Sequence, residues 1–160
     1  MSSTDIAVGR LTEERKNWRK EHPDDFYARP VTKADNSTDL RHWETGIPGK
    51  KGTDWEGGVF KVHLYFPEGY PANPPMCKFQ PVIFHPNVFS DGTICLSIIG
   101  DGWRPSITVK DIVLGIQELL DTPNPLSPAN GKANEKLIRH PNEYKKLIKA
   151  QTMKHSPDND

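Results

Sequence analysis

The order of elements predicts an α+β fold, one domain in which a helix precedes a sheet and further helices follow it. Two observations carry this reading. Apolar residues recur at helical spacing at both ends of the chain, and between them lie short alternating runs separated by glycine- and proline-rich turns. Strands and helices are therefore segregated rather than alternating, which disfavours a parallel sheet built from βαβ units.

The first helix is expected over residues 4–20, entered through Ser, Thr and Asp and stopped by Pro23. Ala7, Leu11 and Trp18 share its apolar face, and Arg15 and Arg19 stand four apart on a basic one. Strands are expected at 26–32, 40–48 and 59–67, and the third alternates with Phe60, Val62, Leu64 and Phe66 on one side. A short fourth strand at 77–80 follows YPANPP, where the prolines demand an irregular connection. Glycine-rich links such as GKKGTDWEGG (49–58) suit an antiparallel meander.

The strongest helix is expected over 109–120. Thr108 and Asp111 form a capping-box pattern before the stripe Val109, Ile112, Val113, Ile116, Leu119 and Leu120. Ser127-Pro128 reads as an N-cap followed by proline at the first helical position, opening a weak helix to about 139. His140-Pro141 breaks the chain before a last helix to about 154, with Tyr144, Leu147 and Ile148 inward and 156–160 frayed. Repeats, linkers and a second domain are not visible, so 1–160 reads as a single unit.

Composition narrows the function. Lys+Arg and Asp+Glu number 21 each, so the neutral sum argues against a general nucleic-acid binder. No apolar run reaches the length of a membrane span, and the N-terminus lacks the apolar core of a secretory signal. Two cysteines, Cys77 and Cys95, make no disulfide framework and suit a reducing, intracellular setting.

Cys95 is the candidate nucleophile. It lies in HPNVFSDGTICLSI (85–98), eight positions after Asn87, with no carboxylate placed to complete a triad. A free cysteine is usually a small buried hydrophobe, and Cys77 in its short strand fits that description. A cysteine hydrolase would need a partnered histidine, nominally His85, His42 or His63, yet no protease-like signature surrounds Cys95. A zinc site lacks a complete ligand set, and no metal or small cofactor is expected. A third chemistry tolerates sparse surroundings: a thiol that carries an acyl group must accept it, resist water and later leave as thiolate. Such a site needs a donor for an oxyanion, and the Asn87 amide is a candidate.

HPNVFSDGTICLSI, YPANPP (70–75) and WRPSITVKDIVLGIQELL (103–120) closely resemble the ubiquitin-conjugating enzyme family over nearly the whole chain. RLTEERKNWRKEHP (10–23), IPGKKGTDWEGG (47–58) and CLSI (95–98) resemble its SUMO-conjugating branch. The resemblance implies that Cys95 takes the SUMO C-terminus as a thioester from an activating enzyme, which alone uses ATP, and passes it to substrate lysines. Asn87 would stabilise the oxyanion or hold the active-site loop, and His85 would buttress that loop. Phe89 stands where relatives often carry tyrosine, and Ser127 where they carry aspartate or serine. Met76, Lys78, Asp91, Thr93 and Pro128 would meet the substrate motif, an apolar residue, lysine, any residue and an acid. Lysine and serine are more usual at the positions of Met76 and Asp91, so preference for the acid should weaken.

The resemblance further implies that Arg15, Lys16, Arg19 and His22 bind SUMO non-covalently and, with Lys50 and Lys51, meet the activating enzyme; ligases are expected partners. Nucleus and cytoplasm are the implied location. The alternatives are a ubiquitin-conjugating enzyme, or an inactive SUMO-binding module of the same fold.

Overall fold

The computed structural model describes residues 2–157 and has the element order α1 (Ser3–Lys20), β1 (Tyr27–Thr32), β2 (Thr38–Pro48), β3 (Val59–Tyr65), β4 (Met76–Phe79), α2 (Val109–Asp121), α3 (Gly131–Arg139) and α4 (Pro141–Lys154). The four strands form one antiparallel sheet in chain order, a meander. A single 3₁₀ turn, Ser97–Ile99, follows Cys95 and had no sequence signal. No described helix is long and apolar enough to cross a membrane.

Period-two alternation sorts the sheet into two faces. Phe60, Val62 and Leu64 are fully buried and Phe66 nearly so, facing the six apolar side chains of α2, all of them buried. The Thr108–Asp111 capping box forms as expected, each side chain accepting the other's backbone N–H. Tyr70–Pro71 and Gln80–Pro81 are cis, so the proline-rich connection is irregular at both ends.

Two expectations are corrected. α3 begins at Gly131, not at Ser127-Pro128, and Asn130 is its N-cap, accepting the Ala133 N–H. The carbonyl that Ser127 would contribute to a helix is taken by the Asn87 side chain, and the N–H groups of Ala129 and Asn130 both go to the Pro86 carbonyl. A turn so tethered cannot wind. Leu147 is 43% exposed, because the buried stripe of α4 runs Tyr144, Ile148, Thr152 in steps of four and Leu147 lies about 100° off it. The fraying expected for 156–160 falls partly on 158–160, outside the described residues.

Glu14 is the unexpected member of the core. It occupies the 7–11–14–18 stripe of α1 and is 4% exposed. Its carboxylate accepts the Val109 N–H at 2.8 Å and Arg10 Nε at 3.0 Å, while Arg10 also donates to the carbonyls of Pro105 and Ile107. An acid of α1 thus satisfies an orphan donor at the start of α2, where the helix dipole favours negative charge. Glu14→Ala should lower stability by roughly 2–3 kcal/mol, the worth of a buried charge-assisted bond. Urea unfolding checks this against Thr12→Ala, on the exposed side of the same helix, which should change little.

Candidate active site

Residues 87–95 form a tight hairpin. Val88 bridges Ile94, Phe89 and Thr93 share a backbone bond, and Gly92 makes the turn at φ +92°. Glycine is required there twice over, by that angle and because a Cβ would lie 2.4 Å from the Phe79 carbonyl oxygen. The hairpin docks on β4 through the Phe79 and Ile94 N–H groups, and Cys95 ends it by donating its N–H to the Asn87 carbonyl at 2.9 Å.

Behind the hairpin lies a buried polar clasp. His85 is fully buried; its Nδ1 accepts the Asn87 N–H at 3.0 Å, which leaves Nε2 as the donor to the Leu119 carbonyl at 2.8 Å. Leu119 and Leu120 belong to the last turn of α2, whose carbonyls have no partner within the helix. Asn87, equally buried, donates both amide hydrogens, to the carbonyls of Asn124 and Ser127 at 2.9 Å each. Its Oδ1 accepts the Asn124 N–H at 2.8 Å. Both Asn87 donors are therefore spent on the loop after α2, and donation to an oxyanion would require one to be released.

Cys95 itself is partly exposed and unpaired, and it lines a cleft of about 500 Å³. Leu96 and Ser97 form one wall, Glu118, Leu119 and Thr122 at the end of α2 another, with Asn124 and Ser127 beside them. Cys77 is the opposite case: fully buried among apolar side chains, its thiol is pushed well above the usual range. No histidine serves Cys95. Both ring nitrogens of His85 are committed, and His42 and His63 bond each other at 2.7 Å across β2 and β3. The hydrolase alternative loses its base. Among the described residues no group of three or more His, Cys, Asp or Glu is placed to hold a metal ion.

The other singled-out residues are spread over several elements. Lys78 on β4 bridges Thr93 and its Nζ lies 3.7 Å from Asp91, whose other oxygen accepts the Thr93 N–H; Met76, 46% exposed, is two residues away on the same face. Phe89, 45% exposed, sits on the hairpin, and Pro128 lies exposed in the loop before α3. Arg15, Lys16, Arg19 and His22 lie along α1 and its end, where His22 stacks on Trp18. Lys50 pairs with Glu118 at 2.9 Å and Lys51 is exposed beside it in the β2–β3 connection.

The fold and this cysteine hairpin define a class. The family model described as ubiquitin-conjugating enzyme matches residues 10–152, and the chain belongs to that family. It is 54% identical over 149 residues to the "SUMO-conjugating enzyme SCE1" of Arabidopsis thaliana, covering 92% of this chain and 93% of that protein. It is 49% identical to the "Sumo-conjugating enzyme ubc9" of Dictyostelium discoideum, over 95% and 97% of the two chains. Identity to the "SUMO-conjugating enzyme UBC9" of Caenorhabditis elegans is 45%, over 96% and 93%.

Burial holds His85 neutral, its pKa depressed from 6.5 to about 4. An unfolded chain would bind a proton there first, so the neutral form adds stability above pH 6.5 that is lost as pH falls toward 4. The full span is about 3 kcal/mol at 1.36 kcal/mol per unit. His63 and His155 are depressed by burial too and act in the same direction. The residue's own share is isolated by a variant: His85→Gln should be less stable at pH 7 yet lose less between pH 7 and 4.5 in urea titrations.

Proposed function

We propose that this chain is a SUMO-conjugating enzyme, a transferase that carries SUMO as a thioester on Cys95 and delivers it to substrate lysines. The observation that carries this is a partly exposed cysteine open to a cleft that no described histidine lines. The Cys95 thiolate attacks the carbonyl of the thioester on the activating enzyme, whose own thiolate departs. A lysine amine then attacks the Cys95 thioester; an amide forms, the Cys95 thiolate leaves and the amine's surplus proton passes to water. An unactivated thiol suits this sequence, because a base beside it would equally activate water. Asn87 and His85 act as positioning residues that hold the hairpin against α2, and Pro86 joins them through its carbonyl.

The lysine must lose its proton, at a cost of about 4–5 kcal/mol near pH 7 from a reference pKa of roughly 10.4. Phe89 offers it an apolar surface but no hydrogen bond. Ser127, freed from capping a helix, lines the cleft and would offer it a hydroxyl. Lys78 would meet the acid of the substrate motif, but Asp91 already faces it. Arg15, Lys16, Arg19 and His22 would take SUMO non-covalently, Lys50 and Lys51 would join them against the activating enzyme, and Met76, Thr93 and Pro128 would line the substrate path toward ligase-bound targets in nucleus and cytoplasm.

Incubation with SUMO, its activating enzyme and ATP should yield one adduct that reductant removes. Cys95→Ser should abolish the reductant-sensitive form and Cys77→Ser should retain it. Charging by ubiquitin instead of SUMO would overturn the assignment in favour of a ubiquitin-conjugating enzyme, and binding without any adduct would indicate an inactive module. In single-turnover discharge at neutral pH, Phe89→Tyr should run faster than the parent. Asp91→Ser should raise the preference for a glutamate over a glutamine peptide about threefold, since exposed charges contribute up to about 1 kcal/mol; no change in that ratio would remove Asp91 from substrate selection.

A further inference from the structure

A cavity of about 940 Å³ lies apart from the cleft of Cys95 and shares no residue with it. It opens between the start of β1, the start of β3, the segment 81–84 and the last turns of α4. Val59, Val82, Phe84 and Leu147 give it an apolar lining. Val82 at 48% and Leu147 at 43% exposure are left uncovered there, although neither helix nor strand needs them open. The volume falls in the range of about 300–1,000 Å³ that small-molecule sites occupy.

Its charge is as specific as its shape. Lys61 and Lys154 line the cavity, and neither has an ion pair among the described residues. Their neighbours on α4, Lys145 and Lys149, both lean on Asp54 instead. Among the described residues Asp25 is the one acid of the lining, against two cations, and His155 adds an imidazole whose ring lies tilted against Phe60. The wall is rigid as well: the Gln151 carboxamide accepts the Phe84 N–H at 2.6 Å and donates to the Phe84 carbonyl at 3.2 Å. Phe84 directly precedes His85, so an occupant would lie one residue from the polar clasp behind Cys95.

The geometry points to a binding site for a small amphipathic anion, an aromatic or branched aliphatic body bearing one carboxylate, sulfonate or phosphate, with the body against Val82, Phe84 and Leu147 and the anion between Lys61 and Lys154. Two cations without an ion pair among the described residues, beside uncovered apolar surface, match that chemistry and disfavour a cation or a neutral polar ligand. The site is independent of the SUMO reading, since no residue of the conjugating cleft takes part.

Anilinonaphthalene sulfonate is a probe of this class. Titrated into the full chain, it should bind saturably with one site, and backbone amides of Phe84 and His85 and the Gln151 carboxamide should shift in ¹H–¹⁵N spectra. Lys61→Glu with Lys154→Glu should weaken binding about tenfold or more, at roughly a several-fold loss for each reversed charge, and added salt should weaken it too. Leu147→Glu should abolish binding, and Ile138→Ser, on the exposed face of α3, should leave it unchanged. All these side chains are exposed at least in part, and unchanged urea midpoints will confirm that the variants fold. Non-saturable binding, or binding indifferent to the charge reversals, would overturn the site. So would a concentration-dependent dimer that Leu147→Glu dissociates without any probe binding, which would give the groove to a second copy.

Discussion

The structure around Cys95 depends on two buried polar side chains, His85 and Asn87, that between them bind the end of α2, the loop after it and the hairpin carrying the cysteine. Each is fully buried, and each is nearly saturated with hydrogen bonds. Such groups are costly when unpaired and rigidifying when paired, so the clasp has one satisfactory arrangement and excludes neighbouring ones. Carbonyls at the C-terminus of α2, without partners inside the helix, supply the acceptors for His85. The cysteine's position follows from this network.

The same helix is held at its other end by a charge. Glu14 reaches from α1 to the first N–H of α2, and Arg10 fills carbonyls in the approach to it. α2 is thus tied at both termini by side chains from distant parts of the chain, while its buried stripe packs on the sheet. A helix so restrained is a firm wall for the cleft, and the chemistry proposed there demands little more: an open thiol, a fixed loop and no competing base. The ion pair of Lys78 with Asp91 shows where this chain tunes that plan.

The legible part of the fold was the part governed by local pattern. The alternation of β3, the stripe and capping box of α2 and the apolar face of α1 each declare themselves within about a dozen residues, because burial of one face is a repeating demand. The cysteine hairpin was legible through its motif, which brings Asn87 and Cys95 together. Glu14 left a trace, since its position falls on the apolar stripe, but an acid there reads as solvated until α2 arrives above it. Ser127 misled for a related reason: Ser-Pro is a sound local helix start, and it is bonds to Pro86 and Asn87, some forty residues away in sequence, that prevent it.

By itself, then, the sequence determined the α+β class, the order of the elements, the candidate nucleophile and the family to which the chain belongs. Tertiary structure alone decided which thiol meets solvent, which donors of Asn87 are occupied, where α3 begins and that Leu147 opens on a groove. Those outcomes rest on single hydrogen bonds and contacts between residues far apart along the chain. Periodicity reports which face a residue takes, and carries no record of the partner that will arrive there.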